Sequence, residues 1–468
     1  MDYGLISVLS ILRQDAVGII LTLTMLSATM VTAEGLRHFL KPKVEWTRKF
    51  VHVCSGLVVA CFPWLLTSAI SVMVIAGLMF LVLALTKKLG WLQSVHSVSR
   101  KSYGDVYYLL AVVALFVISR NQPQYYFASI LTLAIADAMA AVIGSTYHKV
   151  TFSVEANKKS LEGSTIFFLA TFLTIHLPLL LLSEMPRELT VVIALQIAIV
   201  VTLIEAIAIS GFDNFAIPLS VYFLLIKLDD KSTLFVSTQI AFQLLLILGL
   251  IIFCLRFRYF SLSAAIVNHL VLFAAFALGG PWWILPPILA MIVFARWRRR
   301  SDGKNPMRLV PNYQLLSALY VCFVPTSIIF INNFLLTFFH MQGRLFDEDV
   351  FYGLYAGAVS ASASLSLVTL RKNFDKHGDR VGQQARILFC TSLFSFVMIV
   401  PISLALPGYG WSLSHWLAAF CFAFCAPLIH FIFWYRKHEH SISYLAFQAL
   451  SLSACVVISS SVLLALTV

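Results

Sequence analysis

Charge is scarce in this sequence. Asp, Glu, Lys and Arg make up 12% of its 468 residues, whereas a soluble domain carries about a quarter. Acids are the scarcer sign, 21 against 33 Lys and Arg. With 60% hydrophobic residues and a mean hydropathy of +0.90, the chain is too apolar for a soluble globular enzyme or a disordered segment. Cysteine is no framework either: the eight residues, Cys54, Cys61, Cys421 and Cys425 among them, lie in apolar stretches without CxxC spacing. That excludes a disulfide scaffold and a zinc site. No GxxxxGK[ST] phosphate loop occurs. No cleavable signal is expected, because Asp2, Arg13 and Asp15 flank the first apolar run. The basic segments read as orientation signal rather than as a nucleic-acid footprint, with no exposed aromatics expected among them.

What fills the chain is apolar runs of membrane-spanning length. They are continuous rather than alternating, which predicts helices and not a barrel. The fold class expected is all-α, a polytopic integral membrane helical bundle of about 14–16 transmembrane helices. The runs fall at about 16–36, 50–66, 68–86, 105–119, 125–146, 163–183, 189–210, 214–228, 233–255, 261–279, 281–296, 314–339, 351–370, 386–406, 411–434 and 442–467. Placing the 37–49 loop in the cytoplasm and alternating from there puts 27 of the 33 Lys and Arg inside. Cationic loops stay on the cytoplasmic side, so this asymmetry supports the whole topology and a bacterial inner-membrane location. Part of the +12 net charge would also draw anionic lipid head groups.

The chain divides near residue 255 into halves of different chemistry. Residues 1–255 are net +3 and residues 256–468 net +9. All seven acids of the second half sit in predicted loops. In the first half Asp137 and Glu205 lie inside apolar spans, and Asp213 sits at a break between two. A carboxylate at membrane depth costs several kcal/mol and persists where it has a partner or a task. Chemistry is therefore expected in residues 1–255, and residues 256–468 read as an additional membrane domain for packing, lipid access or dimerisation.

Four constellations carry that chemistry. In Arg48-Lys49-Phe50-Val51-His52 followed by Gly56, Arg48, His52 and Gly56 are each four apart and share a helical face, with basic groups at the helix entry to hold phosphate and His52 as a proton acceptor or donor. The plainer alternative is an interfacial anchor with a histidine bonded to a carbonyl. Asp137, Ala140, Ala141 and Gly144 form a face of small residues around one acid. That acid is either a magnesium ligand or a buried acid paired with a lysine from another helix. Lys158-Lys159-Ser160-Leu161-Glu162-Gly163 reads as a phosphate clamp at a helix start, or as a surface ion pair between Lys159 and Glu162. In Gly211-Phe212-Asp213-Asn214 the acid and amide offer oxygen donors for magnesium, or cap the next helix, with Glu205 two turns earlier.

These segments together resemble a known family. RKFVH at 48–52 with Gly56, KSYGDVYY at 101–108, ADAMAAVIG at 136–144, KKSLEGS at 158–164 and GFDNFAIPL at 211–219 occur in the order of the phytol kinase/dolichol kinase family. Those membrane enzymes phosphorylate isoprenoid alcohols, typically with CTP, and are related to phosphatidate cytidylyltransferases. The resemblance spans about residues 35–230. It departs from the family pattern at Ala136 and His148, where glycine is usual.

The resemblance implies a lipid kinase with Mg2+ as cofactor and CTP as donor, taking phytol or a polyprenol as acceptor. By the resemblance Asp137, Lys159, Glu162, Asp213 and Asn214 occupy the family's characteristic polar positions. Together with the residue reading this puts Asp137, Lys159, Glu162 and His52 in catalysis, Arg48, Lys49, Lys158, Lys159 and Ser160 on nucleotide phosphate, and Asp137, Asp213 and Asn214 on the metal. Glu205, Gly144 and Gly163 would support them. Expected partners are the lipid alcohol, the nucleotide and membrane lipids, with a homodimer left open and no nucleic acid. Two other activities stay open: cytidylyl transfer giving a CDP-lipid, and transport of a lipid or small molecule. Residues 260–288 also resemble the start of a family that includes phytyl-phosphate kinases. Where that family carries acids, this chain reads Val359-Ser360-Ala361-Ser362-Ala363-Ser364.

Overall fold

The computed structural model describes residues 10–40, 44–92, 103–119, 122–147, 149–154, 157–208, 211–257 and 262–292, with Tyr355 and Val359. The helices are α1 (Ala16–Leu40), α2 (Val44–Ala60), α3 (Phe62–Leu65), α4 (Ala69–Leu89), α5 (Gly104–Ile118) and α6 (Pro123–Thr146). They continue as α7 (Leu161–Leu182), α8 (Arg187–Ile207), α9 (Asp213–Leu228), α10 (Thr233–Phe257) and α11 (Leu262–Ala274). Among the described residues seven helices are long and apolar enough to cross a membrane. The protein is an all-α polytopic membrane protein, as its continuous apolar runs require. Where they are described, the spans read between residues 16 and 296 fall on helix, the last of them opening with a 3-10 turn at Pro281–Ile284; those read from 314 onward lie outside the described residues apart from Tyr355 and Val359.

One departure is local. Residues expected as loop form an antiparallel hairpin, β1 (Thr151–Val154) and β2 (Asn157–Ser160), pairing Phe152 with Lys159 and Thr151 with Ser160. Thr, Phe and Val in β1 favour the extended chain over helix.

The chain forms two compact units, Met1–Phe242 and Gln243–Val468. In the first, α6 is the axis and packs on α7, α2, α9, α5 and α3. Small residues make this possible. Ala128, Ser129, Ala134 and Ala136 of α6 are fully buried, and a Cβ on Gly56 of α2 would lie 2.4 Å from the Ala134 Cβ. The α6–α7 seam closes the same way at Gly144 and Gly163, where an added Cβ on Gly144 would lie 3.2 Å from the Gly163 Cα. Close helix approach through small side chains is how membrane bundles gain dispersion contacts without a hydrophobic drive.

Hydrogen bonds fasten one end of this bundle. Asp15, 3% exposed, accepts from the Thr67 amide at 3.0 Å, the Thr67 hydroxyl at 2.8 Å and the Ser68 amide at 3.1 Å. The Tyr125 hydroxyl donates to Asp229 and the Tyr222 hydroxyl to the Ile118 carbonyl, each at 2.9 Å. The opposite end carries the acids and bases singled out in the sequence. In the second unit α11 runs into a π-helical turn, Ala275–Gly279, and Trp283 stacks on Tyr355 at 5.0 Å.

Candidate active site

The site is built on α2 and α6. Lys49 and His52 are three apart on α2, Leu133 and Asp137 four apart on α6, so each pair shares a helical face. Packing of Gly56 on Ala134 brings the two faces together. Lys49, 5% exposed, places Nζ 2.5 Å from Asp137 Oδ2 and 3.4 Å from the Asp137 carbonyl oxygen. His52 Nε2 lies 3.2 Å from the Leu133 carbonyl oxygen and 3.4 Å from Asp137 Oδ2. Both neighbours of Nε2 are acceptors, so Nε2 carries a proton and Nδ1 is the ring's acceptor in the neutral imidazole. Asp137 thus has the lysine partner of the plainer alternative. It also faces a cavity.

A second pair stands beside the first. Lys159 of β2 reaches the C-terminal end of α8, donating to the Glu205 carboxylate at 2.6 Å and to the Glu205 carbonyl oxygen. Asp137 and Asp213 act electrostatically on Glu205, and Lys159 and Lys49 on Asp213. Arg48 pairs with Glu45 at 2.5 Å and feels both Asp137 and Asp105. The result is an interleaved cluster in which Asp137 and Glu205 each hold a lysine, while Asp213 stands within electrostatic reach of both lysines.

Sequence expectation and placement differ at several residues. Lys159 pairs with Glu205 rather than Glu162, since β2 carries it toward α8. Glu162 instead accepts from the Lys149 and Val150 amides at 3.1 Å and ties the hairpin root to α7. Ser160 caps α7, its Oγ accepting from the Gly163 amide at 3.1 Å. Gly144 and Gly163 are packing contacts between helices. The Asn214 side-chain nitrogen donates to the Gly104 carbonyl at 3.0 Å, and Asp213 Oδ1 accepts from the Asn214 amide at 3.1 Å. Ala136 is fully buried. The side chain of Lys158, and His148, lie outside the described residues.

A cavity of about 160 Å³ opens from the cluster. Arg48, His52, Asp105, Asp137 and Asn214 line one end, and Val51, Val59, Phe62, Ile75, Met79 and Val112 line its length. Arg48, Val51, His52, Ser55, Val59 and Phe62 recur three or four apart, one continuous face of the α2–α3 segment. Asp105 and Tyr108 are lining residues that sequence reasoning passed over. Both lie inside the quoted KSYGDVYY segment, and the spacing Asp105, Tyr108, Leu109, Val112 marks a single helical face.

Carboxylates and an amide oxygen are suitable chemistry for magnesium. Among the described residues no group of three or more His, Cys, Asp or Glu is spaced to hold a metal alone. An ion at Asp137, Asp213 and Asn214 would therefore need oxygens from a bound phosphate.

Fold and site define a polytopic membrane protein with a charged cluster at the mouth of an apolar cavity. The chain is 32% identical over 205 residues to a phytol kinase of Synechocystis sp., an alignment covering 42% of this chain and 86% of that protein. It belongs to the phytol kinase family. No family model matches the chain, and no solved structure matches it.

Proposed function

We propose that the protein is a membrane lipid kinase that transfers the γ-phosphate of CTP, or another nucleoside triphosphate, to a long-chain isoprenoid alcohol such as phytol or a polyprenol. One observation carries this reading: a cavity apolar along its length ends on His52, Asp137 and Arg48. An alcohol with an isoprenoid tail has the matching polarity, hydroxyl to the charged end and hydrocarbon along the wall. The family relationship to a phytol kinase supports the same reaction.

The chemistry assigns a task to each group. The alcohol oxygen forms a bond to the γ-phosphorus while the bond from phosphorus to the β,γ-bridging oxygen breaks, and the nucleoside diphosphate leaves with that oxygen. The hydroxyl proton passes to His52 Nδ1, the acceptor left when Nε2 is committed to Leu133 and Asp137. Arg48, Lys49 and Lys159 neutralise the triphosphate, whose oxygens compete with Asp137 and Glu205 for the two lysines. Asp137, Asp213 and Asn214 would hold Mg2+, which when bound screens phosphate charge. Glu162 keeps the Lys159-bearing hairpin in place rather than acting as a base. The biased loop charge supports a cell-membrane location with the site facing the cytoplasm, where nucleotide is available.

The test is paired labelling of the purified protein with Mg2+, using CTP labelled at the γ- or the α-phosphate and a panel of isoprenoid alcohols and diacyl lipids. Label from the γ-position in an alcohol is the expected result. Label only from the α-position would mean cytidylyl transfer. No lipid label from CTP, ATP or GTP would remove the kinase reading.

A further inference from the structure

The polar groups on the cavity wall are almost all committed to protein partners. Arg48 is paired with Glu45, and His52 Nε2 lies against Leu133 and Asp137. The Ser55 hydroxyl donates to the Val51 carbonyl at 2.6 Å, and the Asn214 amide to Gly104. Tyr108 is different. Its hydroxyl oxygen is buried and has no hydrogen-bond partner among the described residues. Its ring lies 6.1 Å from that of His52, and both side chains line the cavity. A buried donor left unpaired costs about 1–3 kcal/mol, so a bonding partner entering the cavity gains by satisfying it.

We propose that the Tyr108 hydroxyl binds the oxygen of the acceptor alcohol and orients it against His52. The proposal rests on the kinase reading and adds a residue to the acceptor site. The valences fit. An alcohol oxygen has one proton and two lone pairs. The proton goes to His52 Nδ1, one lone pair accepts from Tyr108, and the other faces phosphorus. Tyr108 leaves the bond-making to the alcohol and fixes the orientation of its oxygen. A second buried hydroxyl without a partner, on Tyr126, lies within electrostatic reach of Tyr108 but off the cavity wall, and it supplies the control.

The experiment compares wild type, Tyr108→Phe and Tyr126→Phe in the full chain. Two readouts are taken: kinetics with a C20 isoprenoid alcohol, and equilibrium binding of that alcohol against the hydrocarbon lacking its hydroxyl. Tyr108→Phe is expected to raise KM for the alcohol about tenfold, the worth of one hydrogen bond. The nucleotide KM should not move, the unfolding temperature of the ligand-free protein should not fall and should rise if the unpaired hydroxyl is removed cleanly, and Tyr126→Phe should leave both KM values alone. Wild type should favour alcohol over hydrocarbon in binding, and Tyr108→Phe should lose that preference. An unchanged alcohol KM and an unchanged preference in Tyr108→Phe would overturn the contact. Equal changes in Tyr108→Phe and Tyr126→Phe, accompanied by lost stability, would overturn it in favour of a structural tyrosine pair. If wild type transfers no phosphate, the kinase reading fails, while the binding comparison still decides the role of Tyr108.

Discussion

At the scale of single residues the decisive group is Asp137, with Lys49 at 2.5 Å and His52 at 3.4 Å on the same carboxylate oxygen. The proposed mechanism adds a chemical role to the structural one that this pairing shows, and substitutions separate the two. Asp137→Asn leaves the Lys49 ammonium buried without its counter-charge, a loss of about 3–5 kcal/mol for a buried pair. It should also lower phosphoryl transfer by about 10²-fold or more, since it removes an acid from the charge-compensating set. Replacing both partners, Lys49→Met with Asp137→Leu, should recover most of the stability, because apolar pairs replace buried ion pairs well. Activity should stay lost. Thermal unfolding in detergent beside the label-transfer assay reads both; an active double variant would remove Asp137 from the chemistry. Residue types and local spacing in the sequence pointed to this acid and to His52. The choice of partner did not show there: Lys49 and Asp137 are 88 positions apart and Lys159 and Glu205 46 apart. Glu162, three positions from Lys159, looked the nearer match for it, and strand geometry in β2 turns Lys159 elsewhere.

At the scale of elements, geometry depends on how closely helices approach. A methyl group on Gly56 would sit 2.4 Å from the Ala134 Cβ, one turn from His52 and two from Lys49. Gly56→Ala should push α2 off α6, costing about 1–3 kcal/mol as overpacking, and activity should fall as Lys49 and His52 draw away from Asp137. Gly56→Ala with Ala134→Gly should restore much of both, and the paired variants can be compared by unfolding and by label transfer. The hairpin offers an independent case. Glu162→Ala removes the acceptor of the Lys149 and Val150 amides, so their hydrogen exchange should quicken and the nucleotide KM should rise, with the alcohol KM unchanged. Unaltered exchange at these amides would show that Glu162 does not hold the hairpin. Long apolar runs made the helices readable, because lipid leaves the backbone no alternative. The hairpin lacked such a constraint: it is two strands of four residues, and its existence depends on cross-strand pairing and on Glu162.

At the scale of the whole molecule, acid should weaken the end of the bundle that Asp15 fastens. Burial opposes ionisation of Asp15, yet hydrogen bonds from Thr67 and Ser68 prevail and hold its pKa below the ordinary 3.8. A lowered folded-state pKa means that the stabilisation is complete above the unfolded value and is lost as pH falls through the folded one. Wild type should therefore exceed Asp15→Asn in unfolding temperature by a constant margin at neutral pH, with the margin shrinking below about pH 4. A margin independent of pH would exclude the charged form of Asp15 as its source. The larger division is between the units. Every ion pair of the site and every residue lining the cavity lies within Met1–Phe242. A phytol kinase is matched over 86% of its own length by only 205 residues of this chain. That relative is about half as long as this chain, and if the proposed machinery is confined to the first unit, residues 256–468 would be an addition to it rather than a part of it. A fragment of residues 1–261, which keeps α10 whole, should then phosphorylate the same alcohol within about tenfold of the full chain, roughly 1.4 kcal/mol in transition-state terms. Its alcohol and nucleotide KM values are the comparison to make. If the fragment remains folded by thermal unfolding and yet transfers no phosphate, the second unit contributes to the reaction, and the division of labour proposed here is wrong.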